Sequence, residues 1–310
     1  MQMRGQKSIS GSNSPLIVLD GVLFCGSLND LNPGDIASIE VLKDASSAAA
    51  FGSRSANGVL MITTKKGTSS KPTVSFNSSA SFQTWGNKPV LKSGQAYVDA
   101  VMARNETEDM TWMTPQETEN YLAGNETDWL DFITRTGIKQ DYQASVSGRA
   151  DKVNYYMSAA YSDNAGIIKG DDFSRLSVMG KISADITSWL NIGMDGAYAR
   201  MDDSGVAANV QTAYFLSPFG TPYRAYDRTA LEKYPMTQSD GYQNPLWQTD
   251  ESLRQNVGVR NNYRLNASAL VKCPWVSGLT FRANFTLNNA RKNSSDFINE
   301  MFYVQEGAND

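Results

Sequence analysis

The stretch RLSVMGKISADITSWLNIGMDGAY, residues 175–198, decides how most of this chain is read. Its first half sets Leu176, Val178, Gly180, Ile182, Ala184 and Ile186 against Arg175, Ser177, Met179, Lys181, Ser183 and Asp185. Its second half sets Leu190, Ile192, Met194, Gly196 and Tyr198 against Asn191, Gly193, Asp195 and Ala197. Successive side chains of a strand point to opposite faces, so each half is a strand with one apolar and one polar face. Only residues 187–189 separate the two.

The same alternation recurs in Val153 to Tyr161, Tyr263 to Val271 and Leu279 to Leu287. About seven such strands are predicted, near 73–85, 139–148, 153–163, 173–186, 190–201, 257–273 and 279–289. Most are about ten residues, the length a tilted strand needs to cross a bilayer. The links at 149–152, 187–189 and 274–278 are short, and those at 86–138, 164–172, 202–256 and 290–310 are mostly longer. Short turns on one side and long extracellular loops on the other are the plan of an outer-membrane barrel. Alternation alone also suits a large soluble sandwich or an adhesin-like solenoid; the regular short–long order favours the barrel. In the first long link, Thr114-Pro115-Gln116-Glu117 has capping-box spacing, and Thr127-Asp128 precedes Trp129, Leu130, Phe132 and Ile133. One or two short helices are expected there.

Residues 1–72 read differently. Leu16 to Leu19 is an apolar strand closed by a turn at Asp20-Gly21, and Asn32-Pro33-Gly34-Asp35 is a second turn. Ile36 to Leu42 and Val59 to Thr64 read as strands. Between them Asp44 is placed to cap an Ala-rich helix, residues 45–51, and Gly52 to end it. The chain is therefore mainly β: a small α/β unit over 1–72, then about seven antiparallel strands over 73–310.

Composition narrows the chemistry. The 310 residues carry a net charge of −4, which argues against a nucleic-acid partner. Histidine is absent, which removes Ser-His-Asp and Cys-His nucleophile activation and histidine metal sites. Cys25 and Cys273 are expected to stay unpaired and to pack as small apolar residues. No Gly-rich phosphate loop ends in Gly-Lys-Ser/Thr. The acidic pairs Asp171-Asp172 and Asp202-Asp203 read as solvated loop charge. No catalytic residue, metal site or cofactor is predicted.

Specificity comes from residues 4–67. RGQKSISGSNSPLIVLDGV (Arg4 to Val22) and LNPGDIASIEVLKDASSAAAFGSRSANGVLMITTKKG (Leu31 to Gly67) resemble the plug signature of the SusC/RagA TonB-dependent receptors. The resemblance rests on Arg4, Gly5, Asp20, Gly21, Asn32, Pro33, Asp35, Glu40, Lys43, Asp44, Gly52, Arg54, Asn57 and Gly58, among others. It continues more loosely through Ser147-Gly148, Asn154-Tyr155-Tyr156 and Asn244-Pro245-Leu246. The family often has Pro soon after the Asp-Gly turn, where this chain has Val22 and Leu23.

The resemblance implies an internal fragment of an importer: the C-terminal part of the plug and the N-terminal part of a barrel. It implies an outer-membrane location in a Bacteroidetes-type bacterium, a SusD-like lipoprotein partner, TonB as the energised partner, a glycan or peptide cargo, and membrane lipid around the strands. The signature residues are expected to hold the plug together, with gating as the second role. Glu40, Lys43, Asp44 and Arg54 would pair with one another or with the polar lumen. Two classes compete with it: a β-rich surface adhesin or glycan-binding module, and a carboxylate glycosidase built on an acidic pair in a cleft.

Overall fold

The computed structural model describes residues 15–42, 51–52, 57–106, 109–222, 234 and 244–299. Two sheets organise them.

The first sheet has four strands in the order β2-β1-β4-β3. Strand β1, Leu16–Leu19, turns at Asp20 and Gly21, whose φ values are 49° and 85°. Two successive left-handed residues make the tight hairpin for which Asp-Gly is suited. It folds β2, Val22–Leu23, back on β1. Strand β3, Ile36–Leu42, pairs antiparallel with β4, Val59–Thr64, and β4 runs parallel to β1. The central pair buries Val18, Leu19, Val59, Leu60 and Ile62. Strands covered on both faces require continuous apolar runs, which is what LIVL and VLMI supply. The expected Ala-rich helix and its cap at Asp44 lie outside the described residues; Gly52, at its end, has φ 67°.

The second sheet has seven strands in chain order, each antiparallel to the next. They are β5 (Thr73–Gln83), β6 (Gly137–Ala150), β7 (Val153–Ala165), β8 (Asp172–Asp185), β9 (Leu190–Asp202), β10 (Arg254–Lys272) and β11 (Thr280–Ile298). Residues 151–152, 186–189 and 273–279 make the turns at one end. The links 84–136, 166–171 and 203–253 join strands at the other end, and of these 166–171 is shorter than the turn at 273–279. Among the described residues β5 and β11 are edges, and the sheet is not closed.

The sheet is inverted relative to a water-soluble one. Its outward face carries exposed apolar side chains, including Ile182 at 50%, Met157 at 59% and Phe285 at 66%. Its inward face buries polar ones, including Ser158, Ser162, Ser177, Asp195 and Asn266. A contiguous apolar face of this extent marks a surface that a protein or lipid partner covers. No helix of the described residues is long and apolar enough to cross a membrane.

Several details differ from expectation. Strand β11 stays paired through Ile298, although a loop is predicted from 290, and β10 begins at Arg254, before the predicted 257. Arg254 to Val257 and Ser294 to Ile298 have weak apolar alternation, and the ladder is held there by backbone pairing. The first long link contains three helices where one or two are expected: α1 (Gly94–Asn105), α2 (Pro115–Ala123) and α3 (Trp129–Ile133). Thr114 and Glu117 form the reciprocal capping box, and Asp128 caps α3. Helix α1 starts at Ser93 without a side-chain cap, so it lacks the signal that marks the other two. A fourth helix, α4 (Val210–Phe215), lies in the 203–253 link.

The described parts of the long links pack together. Trp129, Leu130 and Ile133 of α3 pack with Ala213, Leu216 and Trp247 in one apolar core. Within it Trp129 Nε1 donates to Ser217 O at 2.7 Å. Neither cysteine is bridged; Cys25 is exposed and so does not pack as expected.

Gly67 sits in the passage from β4 to β5 and is buried against the β6–β7 hairpin. A Cβ there would lie 2.2 Å from both Gly148 O and Tyr155 O. Both are backbone atoms of paired strands and have nowhere to move. Gly67→Ala is therefore expected to destabilise the junction by about 1–3 kcal/mol, read as a lowered thermal midpoint of the full-length protein.

Candidate functional site

The polar inner face of the second sheet meets the first sheet at a set of hydrogen bonds that is the candidate site. Two carboxylates of the first sheet carry it.

Asp20 is placed by the β1–β2 hairpin beside the end of β4. Thr64 donates to it twice, from N to Oδ1 at 2.9 Å and from Oγ1 to Oδ2 at 2.6 Å. The wall then reaches in: Lys181 Nζ of β8 donates to Asp20 Oδ2 at 2.9 Å and to Thr64 Oγ1 at 2.8 Å. Both charged side chains are mostly shielded, 21% exposed for Lys181 and 13% for Asp20. Burial pushes the Asp20 carboxyl up, but the Lys181 charge and the Thr64 and Lys181 hydrogen bonds outweigh it, and the group is held below its ordinary 3.8.

Asp35 is presented by the Asn32-Pro33-Gly34 turn. Asn32 accepts from Gly34 N at 3.3 Å and donates to Asp35 Oδ2 at 3.2 Å, so the turn is braced from within. Asp35 Oδ1 accepts from the wall twice, from Tyr156 Oη at 2.8 Å and Gln143 Nε2 at 3.1 Å. Its own carbonyl accepts from Lys65 N at 2.8 Å. Gly34 lies so close to Gln143 that a Cβ would fall 1.7 Å from its Oε1. Nearby, Arg175 of β8 donates to the carbonyls of Asn29 at 3.2 Å and Leu31 at 3.3 Å.

The structure thus brings Asp20, Gly21, Asn32 and Asp35 to the interface, while Pro33 starts the turn on its exposed side. Gly58, at φ 90°, lends its carbonyl to Leu16 N at 3.0 Å, and Asn57 precedes it. Glu40 is exposed on β3 and makes no ion pair among the described residues. Arg4, Gly5, Lys43, Asp44 and Arg54 lie outside the described residues. Of the wall partners, Tyr156 falls in a stretch that the resemblance covers and Arg175 and Lys181 in the polar set of β8, but neither they nor Gln143 are expected from the sequence as contacts of the first sheet. The available signal was their place on the polar face of alternating strands.

The acidic pairs take up ordinary roles: Asp172 pairs with Arg135, and Asp202 lies 3.5 Å from Arg200. Among the described residues no group of three metal-ligating side chains converges. The arrangement is suited to holding two bodies together reversibly.

Lys181→Met should weaken the docking of the first sheet on the wall by about 3 kcal/mol, because it leaves Asp20 buried without its counter-ion. The measurement is protease sensitivity of the first sheet in the folded protein. Since Lys181 is among the causes that hold the Asp20 carboxyl low, their pairing contributes fully above the ordinary value of 3.8 and is lost as pH falls through the lowered one. Docking in Asp20→Asn should lose that acid dependence.

Comparison with known proteins places this geometry. Residues 1–59 match the family model for the TonB-dependent receptor plug domain. TonB-dependent receptor P3 of Formosa agariphila is 33% identical over 297 residues, covering 92% of this chain and 27% of that protein. TonB-dependent receptor SusC of Bacteroides thetaiotaomicron is 30% identical over 264 residues, covering 80% of this chain and 25% of that protein. The chain thus spans about a quarter of the length of these curated relatives. The solved structure of the RagAB peptide transporter superposes with a TM-score of 0.74 at 23% identity, over 94% of this chain and 37% of that one, which is a likeness of fold. With a plug-type sheet seated on the polar face of an outwardly apolar β-wall, this chain belongs to the SusC/RagA-type TonB-dependent receptors and spans their plug-to-barrel region.

Proposed function

We propose that the protein of which this chain is part is an active importer in the outer membrane of a Bacteroidetes-type bacterium. Residues 1–72 contribute to its plug and 73–310 to its barrel, with the links at 84–136, 166–171 and 203–253 on the extracellular side. The observation that carries this reading is the seating of the plug sheet on the polar inner face of β6–β8 through Asp20 and Asp35, while the opposite face is apolar and exposed. The outward face meets lipid. A polar interface of a few hydrogen bonds and one ion pair holds the plug yet yields to a mechanical pull, because each net bond contributes only about 1 kcal/mol. TonB supplies the pull, and a SusD-like lipoprotein delivers oligosaccharide or peptide cargo to the long-link side.

Within the plug signature, Asp20 and Asp35 are the contacts that gating must break. Asn32, Pro33 and Gly34 present Asp35, and Gly21, Gly52, Asn57 and Gly58 shape the turns. Arg4, Gly5, Glu40, Lys43, Asp44 and Arg54 complete the signature as plug-stabilising residues. The reaction is transport by rearrangement, with no covalent step and no cofactor. A surface adhesin gives no reason for a plug sheet held against the concave side of the wall.

Uptake of labelled oligosaccharides and peptides by the native host tests this. One or more should enter the wild type and fail to enter strains lacking either the receptor or TonB. Undiminished uptake of every compound in both deletion strains overturns the reading.

A further inference from the structure

The two halves of the wall differ in what they ask of the plug. On β6–β8 the wall's polar groups are completed by it. Gln143 and Tyr156 donate to Asp35, Lys181 donates to Asp20, and Arg175 donates to the carbonyls of Asn29 and Leu31. The tether that leads from the plug into β5 is held on the same side. Gly67 is wedged against the β6–β7 hairpin, and Ser69 O accepts from Arg149 N of β6 at 2.6 Å.

On β9–β11 the polar groups complete one another. Arg264 Nη2 lies 3.3 Å from Asp195 Oδ2, Asn266 Nδ2 donates to Asp195 Oδ1 at 2.9 Å, and Thr286 Oγ1 donates to Asn266 Oδ1 at 2.9 Å. Among the described residues no hydrogen bond or ion pair joins the plug to β9, β10 or β11. The β1–β2 hairpin comes near without bonding: a Cβ on Gly21 would stand 4.0 Å from Arg282 Nη1.

A hollow of about 160 Å³ runs along this second side, between plug residues 24–32 and the inner faces of β8–β11. The register of the wall explains it. Ser177 of β8, Ala199 of β9, Asn262 of β10 and Ala290 of β11 stand in one row across the sheet, and the two alanines leave the wall shallow. Ser177 Oγ, both amide atoms of Asn262 and Arg264 Nε on the wall, and Asp30 Oδ1 on the plug, are buried along the seam without a hydrogen-bond partner. Separation therefore has opposite consequences on the two sides. Lifting the plug from β6–β8 breaks directed bonds and parts Asp20 from its counter-ion. Parting it from β9–β11 breaks no hydrogen bond and admits water to groups that are now unpaired.

We propose that the plug sheet is hinged: β6–β8 and the tether at 65–72 hold its fixed side, and it parts from the wall along β9–β11, where the path for cargo forms. The proposal rests on the import reading and adds to it the side of the wall on which the gate opens. A plug that leaves the wall as a whole must break the Asp20 and Asp35 contacts in every cycle. A hinged one keeps them and uses the seam that holds no bonds.

Two reversible links in the full-length receptor, in its native host, separate the two sides. The first is a disulfide across the fixed side, from Gly34→Cys with Gln143→Cys, at a place where a Cβ on Gly34 meets the Gln143 side chain. The second joins the native Cys25 to Ala290→Cys, both lining the seam, with a bis-methanethiosulfonate. Uptake of the labelled oligosaccharides and peptides is measured with each link intact and again after reduction, so each variant is its own control. The fixed-side disulfide should leave uptake within about twofold of the reduced form, whereas the seam link should lower it about tenfold or more until it is reduced. Loss of uptake under the fixed-side disulfide overturns the proposal, as does undiminished uptake under the seam link. Where a link does not form, maleimide labelling of Gln143→Cys and Ala290→Cys decides, in cells with and without TonB. TonB should speed labelling at 290 by about threefold or more and leave that at 143 unchanged, and any other pattern overturns the proposal. A reduced receptor that takes up nothing counts against the import reading, and uptake insensitive to the seam link counts against the hinge.

Discussion

Everything in this chain depends on where the polar faces of β6–β10 are buried. Alternation at period two gives each strand an apolar side and a polar side, and the two cannot share one environment. The apolar side is left outward and exposed, so the polar side must find partners within the molecule. The plug sheet supplies them. Asp35 receives Tyr156 and Gln143, Asp20 receives Lys181, and backbone carbonyls of the plug turn receive Arg175. Removing the plug would leave those groups to water; removing the wall would leave two carboxylates without their donors. Each body is the other's solvent.

This mutual satisfaction differs from an apolar core in one respect. An apolar interface is non-directional and tolerates sliding. Hydrogen bonds to fixed carboxylates define one seated position and lose their value after a small displacement. The braced Asn32-Pro33-Gly34-Asp35 turn and the tight Asp20-Gly21 hairpin place the two carboxylates rigidly, so the wall reads position through them. The apolar parts of the plug, around Val18 and Val59, are kept inside its own sheet.

The fold was legible to the extent that local patterns report it. Alternation located the barrel strands and Asp-Gly located the hairpin, whereas the short–long order of links holds only in part, since 166–171 is shorter than 273–279. The capping box at Thr114 and the cap at Asp128 announced two helices. What escaped has a physical cause in each case. Helix α1 has Ser93 at its N-cap but no acidic residue in its first turn, and Ser93 makes no side-chain cap. The end of β11 is held by its pairing with β10 and not by its own apolar pattern, so a loop was expected where strand continues. The packing of α3 with α4 and Trp247 joins segments more than eighty residues apart, as the Trp129–Ser217 bond shows, and no local signal encodes it.

The sequence by itself determined the identity of the plug signature, the β class of the chain and which face of each strand is polar, because these follow from residue order and the geometry of one strand. Only the tertiary structure decided which polar residues matter. Lys181 and Lys139 look alike on their strands, yet Lys181 reaches Asp20 of the plug while Lys139 pairs with Asp141 on its own strand. Ser177, Ala199, Asn262 and Ala290 are far apart in the chain and become neighbours only through the register of four strands. Register is a property of the ladder as a whole, set by every pair along it, and a partner across the sheet cannot be read from either strand alone.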